Sequence, residues 1–337
     1  MIVARVLADS LAGCGKRLTT WVATYPRAIH SEVLTHGALA RNSASSRAIP
    51  TEKLIERVLD DPWIPDYIGK NQKGMQAGEE LDPGARAAAL ADWLILRDQA
   101  VATARLMMGH GVHKQIVNRA IEPWMHITTI ISATEVDNFF GLRVHPAAEP
   151  HFQALARAMR DTRDASTPKR LAHGEWHLPL WAENGGQPDD WEELARLMHG
   201  LDITADFLAA KIAVGRCARV SYLTHEGRRD LQADLRLHDD LMTKRPLHAS
   251  PAEHVAQALD WPSWFSEAYP YAAIRDVHRL QNEIIEWRER NRPAAELPPP
   301  WVLFGNEALS ELRSGRFLGF RQYRKHFVDE NIGGRAP

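Results

Sequence analysis

Residues 35–48 read Thr35-His36-Gly37-Ala38-Leu39-Ala40-Arg41-Asn42-Ser43-Ala44-Ser45-Ser46-Arg47-Ala48, a run of small and polar side chains that closes on Pro50. By composition alone such a run is a linker. Its place in the chain argues otherwise, because an apolar segment lies on each side of it. Arg41, Asn42, Ser45, Ser46 and Arg47 also crowd many hydrogen-bond donors into a short stretch, suited to a phosphate or the edge of a base.

Upstream, RLTTWVATYPRAIHSEVL at 17–34 alternates through Leu18, Thr20 and Val22 as a strand does, then turns helical after Pro26. Downstream, a short helix is expected between Pro50 and Pro65, then a Gly/Lys/Gln-rich loop. A long alanine-rich helix follows from about Gly84 to Met108, with an apolar stripe of Leu90, Trp93, Leu94 and Ala100. VHKQIVNRAIEPW reads as a second helix stopped near Pro123, and ITTIIS as a β-branched strand. TEVDNFFGLR and EPHFQALARAMRDT read as further helices. Residues 165–192 are loop-rich, helices return at about 192–212, 228–243 and 274–290, and the prolines at 297–300 mark a connection. In HASPAEH, 248–254, Ser250 fits an N-cap, Pro251 the first helical position and Glu253 a capping box. That arrangement leaves His248 just outside the positive end of a helix dipole.

The chain has 337 residues, 45% hydrophobic and 25% charged, with a net charge of -2, a size for one large domain or two ordinary ones. Proteins that grip nucleic acid through its phosphates carry a basic excess, so nucleic acid is not an expected partner, while a local anion pocket stays open. Cys14 and Cys217 lie far apart and outside any Cys-x-x-Cys pair, which speaks against a disulfide framework and a cysteine zinc site. No signal-peptide core and no run of about 18 apolar residues occurs, so a cytoplasmic protein without a membrane partner is expected. The 11 tryptophans fit ordinary packing.

Three motifs fail on their details. In Gly13-Cys14-Gly15-Lys16, Ser10 stands where a phosphate loop needs its first glycine, and Arg17 follows the lysine in place of Ser or Thr. His110 and His113 have no third ligand beside them, and no metal is expected. No GxGxxG follows a strand, which leaves a dinucleotide-binding doubly wound sheet without support.

The run at 35–48 resembles the signature RHRxxSxNxxSxRY of the flavin-dependent thymidylate synthases, with His36, Asn42, Ser45 and Arg47 at the matching spacing. NFFGLR, with Asn138 and Arg143, is similar to the family's helix ending in Leu-Arg. VNRAIEP resembles its segment with a nucleotide-holding arginine, here Arg119. CARVSY at 217–222 and HASPAEH at 248–254 look like its Ala-Arg-Val-Ser-Tyr and His-x-Ser-Pro-x-Glu-His blocks. Those two blocks come before the arginine-rich motif in typical members and after it here, as in a circular permutation. Thr35 and Gly37 replace the motif's two arginines, Ala40 a serine and Ala48 the tyrosine. Gly37 thereby removes a cation from the flavin site, and Arg41 and Lys16 are candidates to replace it.

The resemblance implies an α+β fold of the flavin-dependent thymidylate synthase type, with helices packed around a mainly antiparallel sheet. Residues 1–258 would form the flavin- and nucleotide-binding catalytic domain, in permuted motif order, and 259–337 a C-terminal extension packed on it. The implied reaction is C5-methylation of a uridylate, UMP or dUMP, with FAD as cofactor and NADPH and methylenetetrahydrofolate as co-substrates. The family branch that methylates UMP in nucleoside-antibiotic pathways is one possible home. A uridylate hydroxymethylase and an inactive nucleotide-binding relative are the alternatives. Arg143 and His248 are the expected catalytic residues. His36, Asn42, Asn138, His248 and Ser250 would meet the flavin, while Ser45, Ser46, Arg47, Arg119 and Arg143 would bind the uridine nucleotide. A homotetramer with shared active sites is implied as well.

Overall fold

Alternation at the start of the chain produces two long strands, β1 (Val3–Ala12) and β2 (Arg17–Pro26), joined by a turn in which Gly15 takes a left-handed φ of 87°. The computed structural model describes residues 1–76, 78–181, 188–199, 203–222, 230–243, 249–268, 282, 284–287, 289 and 307–327. His248, the connection at 297–300 and most of the helix expected at 274–290 lie outside the described residues.

The helix expected after Pro26 is a 3-10 turn, Arg27–Ile29, running into α1 (His30–Leu34). The small-polar run then enters the sheet as β3 (Ala40–Ser43). α2 (Thr51–Asp60) and α3 (Pro83–Gly109) follow, and the Asp82 carboxylate accepts from Gly84 N and Ala85 N to cap α3. The next segment is tighter than the single helix expected. α4 (Lys114–Val117) passes into a 3-10 turn, Asn118–Trp124, and Pro123 sits in that turn, where the i→i+4 hydrogen bonds it would break are not made. β4 (His126–Ala133), α5 (Asp137–Arg143), α6 (Pro150–Asp164) and β5 (Lys169–Leu171) complete the first half.

These strands form one sheet in the order β3-β4-β2-β1-β5, antiparallel except for the parallel pairing of β1 with β5. The fold is α+β, as expected. β2 lies at its centre and is covered on both faces. Trp21, Ala23 and Tyr25 point to the side of Phe152, Leu155 and Met159 on α6, and the Trp21 indole N–H is satisfied by the Met159 carbonyl at 3.0 Å. Val22 faces the other way, with Leu7, Ile130, Cys217 and Val220. Burying a side chain of this size contributes about 1.5–3 kcal/mol. Trp93 of α3 meets Trp63 edge-on and Trp124 at a tilt, in keeping with a packing role.

The later part of the chain lies over the second face of the sheet. After β6 (Trp176–His177) come α7 (Pro188–Met198), α8 (Ala205–Arg219) and α9 (Leu231–Thr243). Then follow β7 (Ala256–Ala258), α10 (Ser263–Ala268), β8 (Arg313–Ser314), β9 (Phe317–Leu318) and β10 (Phe320–Gln322). β10, β7 and β6 form a second sheet, and Phe317, Leu318 and Phe320 pack with Ala12, Cys14, Leu18 and Ala40. The capping box expected at Ser250 is absent. Residues Ser250–Glu253 make a short 3-10 turn without a side-chain cap, because the chain must leave it at once to enter β7. Among the described residues no helix is long and apolar enough to cross a membrane.

α8 is buried almost all round, and its contact with α9 is set by Gly215, where an added Cβ would lie 2.2 Å from the Asp234 carbonyl oxygen. The buried Asp234 carboxylate accepts from Arg216 Nε at 2.9 Å and from Arg219 Nε. Removing one partner of such a buried cluster leaves uncompensated charge. Asp234→Ala is expected to destabilise the chain by about 3–5 kcal/mol, read as a lower denaturation midpoint. A variant as stable as the parent would show that the two arginines find other partners.

Candidate active site

The loop after β3 has few large side chains and is held in shape from outside. Ala44 N donates to the Thr128 carbonyl at 2.8 Å, and Ser45 N to the Ser221 carbonyl at 3.0 Å. Three residues of the neighbouring helical segment hold the rest. Lys114 Nζ donates to the Ala48 carbonyl at 3.1 Å, and Asn118 Nδ2 to the carbonyls of Ser46 and Ile49 at 2.6 and 3.1 Å. The Glu122 carboxylate accepts from Ser46 Oγ at 2.9 Å. These three recur every fourth residue, a spacing visible in VHKQIVNRAIEPW but not read there as a clamp. Glu122 also pairs with Arg27 at 2.9 Å and, more loosely, with Arg119 at 3.9 Å. Ser46 is buried by this engagement, while Arg47 and Arg119 are exposed. A cavity of about 270 Å³ adjoins Ser46 and Arg27, and an open one of about 440 Å³ is lined by Arg27, His30, Arg119 and Glu122.

Before β3, His36 and Arg143 meet across 107 residues of sequence: Arg143 Nε donates to His36 Nε2 at 2.8 Å. Phe152 lies under the guanidinium at 5.0 Å, and Phe139 and Phe152 meet the imidazole edge-on. The His36 carbonyl in turn accepts from Arg41 Nη1 at 3.0 Å, and the same nitrogen reaches the Val33 and Leu34 carbonyls that end α1. Burial, then the charges of Arg143 and Arg41, holds the His36 pKa below its usual value. It therefore accepts as a neutral ring. Gly37 follows, its added Cβ would meet nothing within 4 Å, and its carbonyl accepts from Arg316 Nη1.

Within β3, Asn42 is buried and joins three distant segments. Its Nδ2 donates to the Cys217 carbonyl at 2.8 Å. Its Oδ1 accepts from Ser221 Oγ at 3.4 Å and from Ser250 Oγ at 3.3 Å. The block at 35–48 is thus in contact with the blocks at 217–222 and 248–254, whatever their order in the chain. Asn138 is exposed on α5. Lys16, a candidate replacement for the missing arginine at 37, is buried against Gly319 beside Cys14 in a different core.

Behind the hub runs a buried chain of hydroxyls and imidazoles. Ser10 Oγ meets His177 Nδ1 at 2.8 Å, His177 Nε2 meets Thr20 Oγ1 at 2.8 Å, Thr20 meets Ser132 at 2.6 Å, and Ser132 meets His254 Nδ1 at 2.8 Å. Burial lowers both histidines to about 3. Burial raises Cys14 to about 11 and shifts Cys217 in the same direction, which disfavours the nucleophilic thiolate at both.

No protein-family model matches the sequence, and no curated protein matches it. Among solved structures, the chain is similar to a UMP/dUMP methylase, PolB from Streptomyces cacaoi, solved with 5-Br dUMP. That likeness spans 49% of this chain and 94% of that one, at a TM-score of 0.40 and 10% identity. It is also similar to the flavin-dependent thymidylate synthase ThyX from Helicobacter pylori, solved with FAD and dUMP. There the match spans 43% of this chain and 67% of that one, at a TM-score of 0.31 and 16% identity. Both likenesses are partial.

Removing the Arg143 charge should raise the His36 pKa toward its ordinary value, which an NMR titration of Arg143→Ala would read. A His36 resonance that titrates as in the parent would show that burial and Arg41 set it without Arg143. Because the folded value lies below the unfolded one, the neutral ring's contribution is fully present above the unfolded pKa. It is lost as pH falls through the folded value.

Proposed function

We propose that the chain is a flavin-dependent enzyme that installs a one-carbon group, as methyl, at C5 of a uridylate. The observation that carries this reading is the meeting of the three sequence blocks at Asn42, although they are separated by as many as 208 positions and stand in permuted order. A resemblance spread over unrelated surface segments would not need such a hub.

The residues around His36 fit a flavin dinucleotide, since Gly37 leaves open space and the guanidinium groups of Arg41 and Arg143 stand beside it. His36, Asn42, Asn138 and Ser250 would hold it, together with His248, which lies outside the described residues. A bound FAD, reduced by NADPH, would supply the hydride that converts the methylene unit of methylenetetrahydrofolate to methyl. The chain's own part is binding and orientation. Arg143 donates its Nε to His36 with Phe152 5.0 Å from its guanidinium carbon, and its outer nitrogens would meet a uracil edge, where charge develops during attack by C5. Ser45, Arg47 and Arg119, on or beside the clamped loop, would take the nucleotide with Ser46, whose hydroxyl is held by Glu122. The loop is pre-organised by Lys114 and Asn118, which lowers the ordering cost of binding.

The protein would work in the cytoplasm as a homotetramer. Ile95, Leu96 and Leu106 lie exposed on α3 and are suited to a subunit interface. UMP and dUMP are both candidate substrates, with unreduced release of the carbon unit, as in a hydroxymethylase, as the second reading.

The absorption spectrum of the purified protein, followed by anaerobic NADPH reduction with UMP or dUMP, tests the class and the substrate together. A flavin spectrum and a reduction rate that responds to one nucleotide are expected. A colourless protein that ignores added FAD would leave an inactive nucleotide-binding relative as the better account.

A further inference from the structure

β8 and β9 are joined by a two-residue connection, Gly315-Arg316, with Arg313 opposite Leu318 and Ser314 opposite Phe317. Gly315 has a left-handed φ of 61°, and a Cβ there would lie 2.2 Å from Gln322 Oε1, so the turn depends on glycine. The hairpin is rigidly seated. Leu318 N donates to Thr134 Oγ1 at 3.0 Å, Arg313 pairs with Glu135 at 3.1 Å, and Phe317 and Leu318 are fully buried. Its tip carries Arg316 to the Gly37 carbonyl, 279 positions away in sequence.

The surroundings of Arg316 are rich in positive charge. Arg41 anchors the adjacent His36 carbonyl, and the charge of Arg316 adds to burial in lowering the Arg41 pKa. Arg143 is bonded to the His36 ring. The nearby carboxylate is Glu253, 4.0 Å from Arg316 Nε and also bonded to Arg324. Glu253 divides its charge between Arg316 and Arg324, so the guanidinium groups of Arg41, Arg143 and Arg316 about residues 36 and 37 favour an anion there. Arg41 has committed Nη1 to three carbonyls, whereas the Arg316 side chain is 40% exposed.

We propose that Arg316, delivered by the β8–β9 hairpin, supplies the cation that Gly37 removes from the motif, and that it binds a phosphate of the flavin dinucleotide. The inference rests on the flavin reading above. It assigns the hairpin within 307–327 a direct part in the site.

Flavin fluorescence titrations of the full chain with FAD and with riboflavin, which lacks phosphate, test it. Arg316→Gln keeps a donor for the Gly37 carbonyl and removes the charge; it should weaken FAD about ten-fold, the scale of one charge-assisted hydrogen bond, and leave riboflavin unchanged. Adding Gly37→Arg, for which the space is open, should restore FAD affinity to within about three-fold of the parent. Restoration separates a charge role from a structural one, since the new arginine repairs nothing in the hairpin. Equal FAD binding with and without the Arg316 charge, equal losses for FAD and riboflavin, or no rescue by Gly37→Arg would each overturn the inference while the flavin reading stands. A parent chain that binds neither flavin would overturn both.

Discussion

The site depends on the need to satisfy one buried amide. Asn42 sits within the short strand β3, and its side chain is buried. An unpaired amide there would cost about 1–3 kcal/mol. The groups that satisfy it come from the end of α8 and the turns that follow α8 and precede β7, so this one side chain ties the second half of the chain to the first at the site. The backbone bond from Ser45 to Ser221 runs alongside. With that junction made, the loop after β3, His36 before it and the 3-10 turn at Ser250 share one neighbourhood.

Chain order matters little to such a junction. Joining segments that are distant in sequence costs closure entropy that grows only with the logarithm of the separation. A permuted order of motifs is therefore compatible with the same local contacts, provided the termini of the elements can be reconnected at the surface. The same economy lets a hairpin near residue 316 serve a site organised around residue 37.

Much of the first half was legible in the sequence because its periodicities are long. β2, β4, α3 and α6 each span enough residues for alternation or an apolar stripe to emerge, and each was expected close to where it lies. β3, β5, β6, β7 and the β8–β9 hairpin are two to four residues long and carry no period of their own. They are strands because neighbours supply their hydrogen bonds. The turn at Ser250–Glu253 shows the same limit: its residues suit a helix start, yet the following residues are claimed by β6 and β10, and the serine bonds to Asn42 instead. Site residues were legible where a motif named them. Lys114, Asn118, Glu122 and Arg316 were not, since their partners are backbone carbonyls or a loop serine, which leave no mark on composition.

The buried chain from Ser10 to His254 has a direction. Each hydroxyl owns a single proton, so the choice made at one end propagates. If His177 carries its proton on Nδ1, Thr20 must donate to Nε2, Ser132 to Thr20, and His254 Nδ1 to Ser132. His254 Nε2, which has no partner among the described residues, is then left as a bare acceptor. In the opposite sense the proton of His254 lies on Nε2. In either sense both rings take the same tautomer, and the groups from His177 to His254 point one way through the protein. Reversing any one of them means reversing the row.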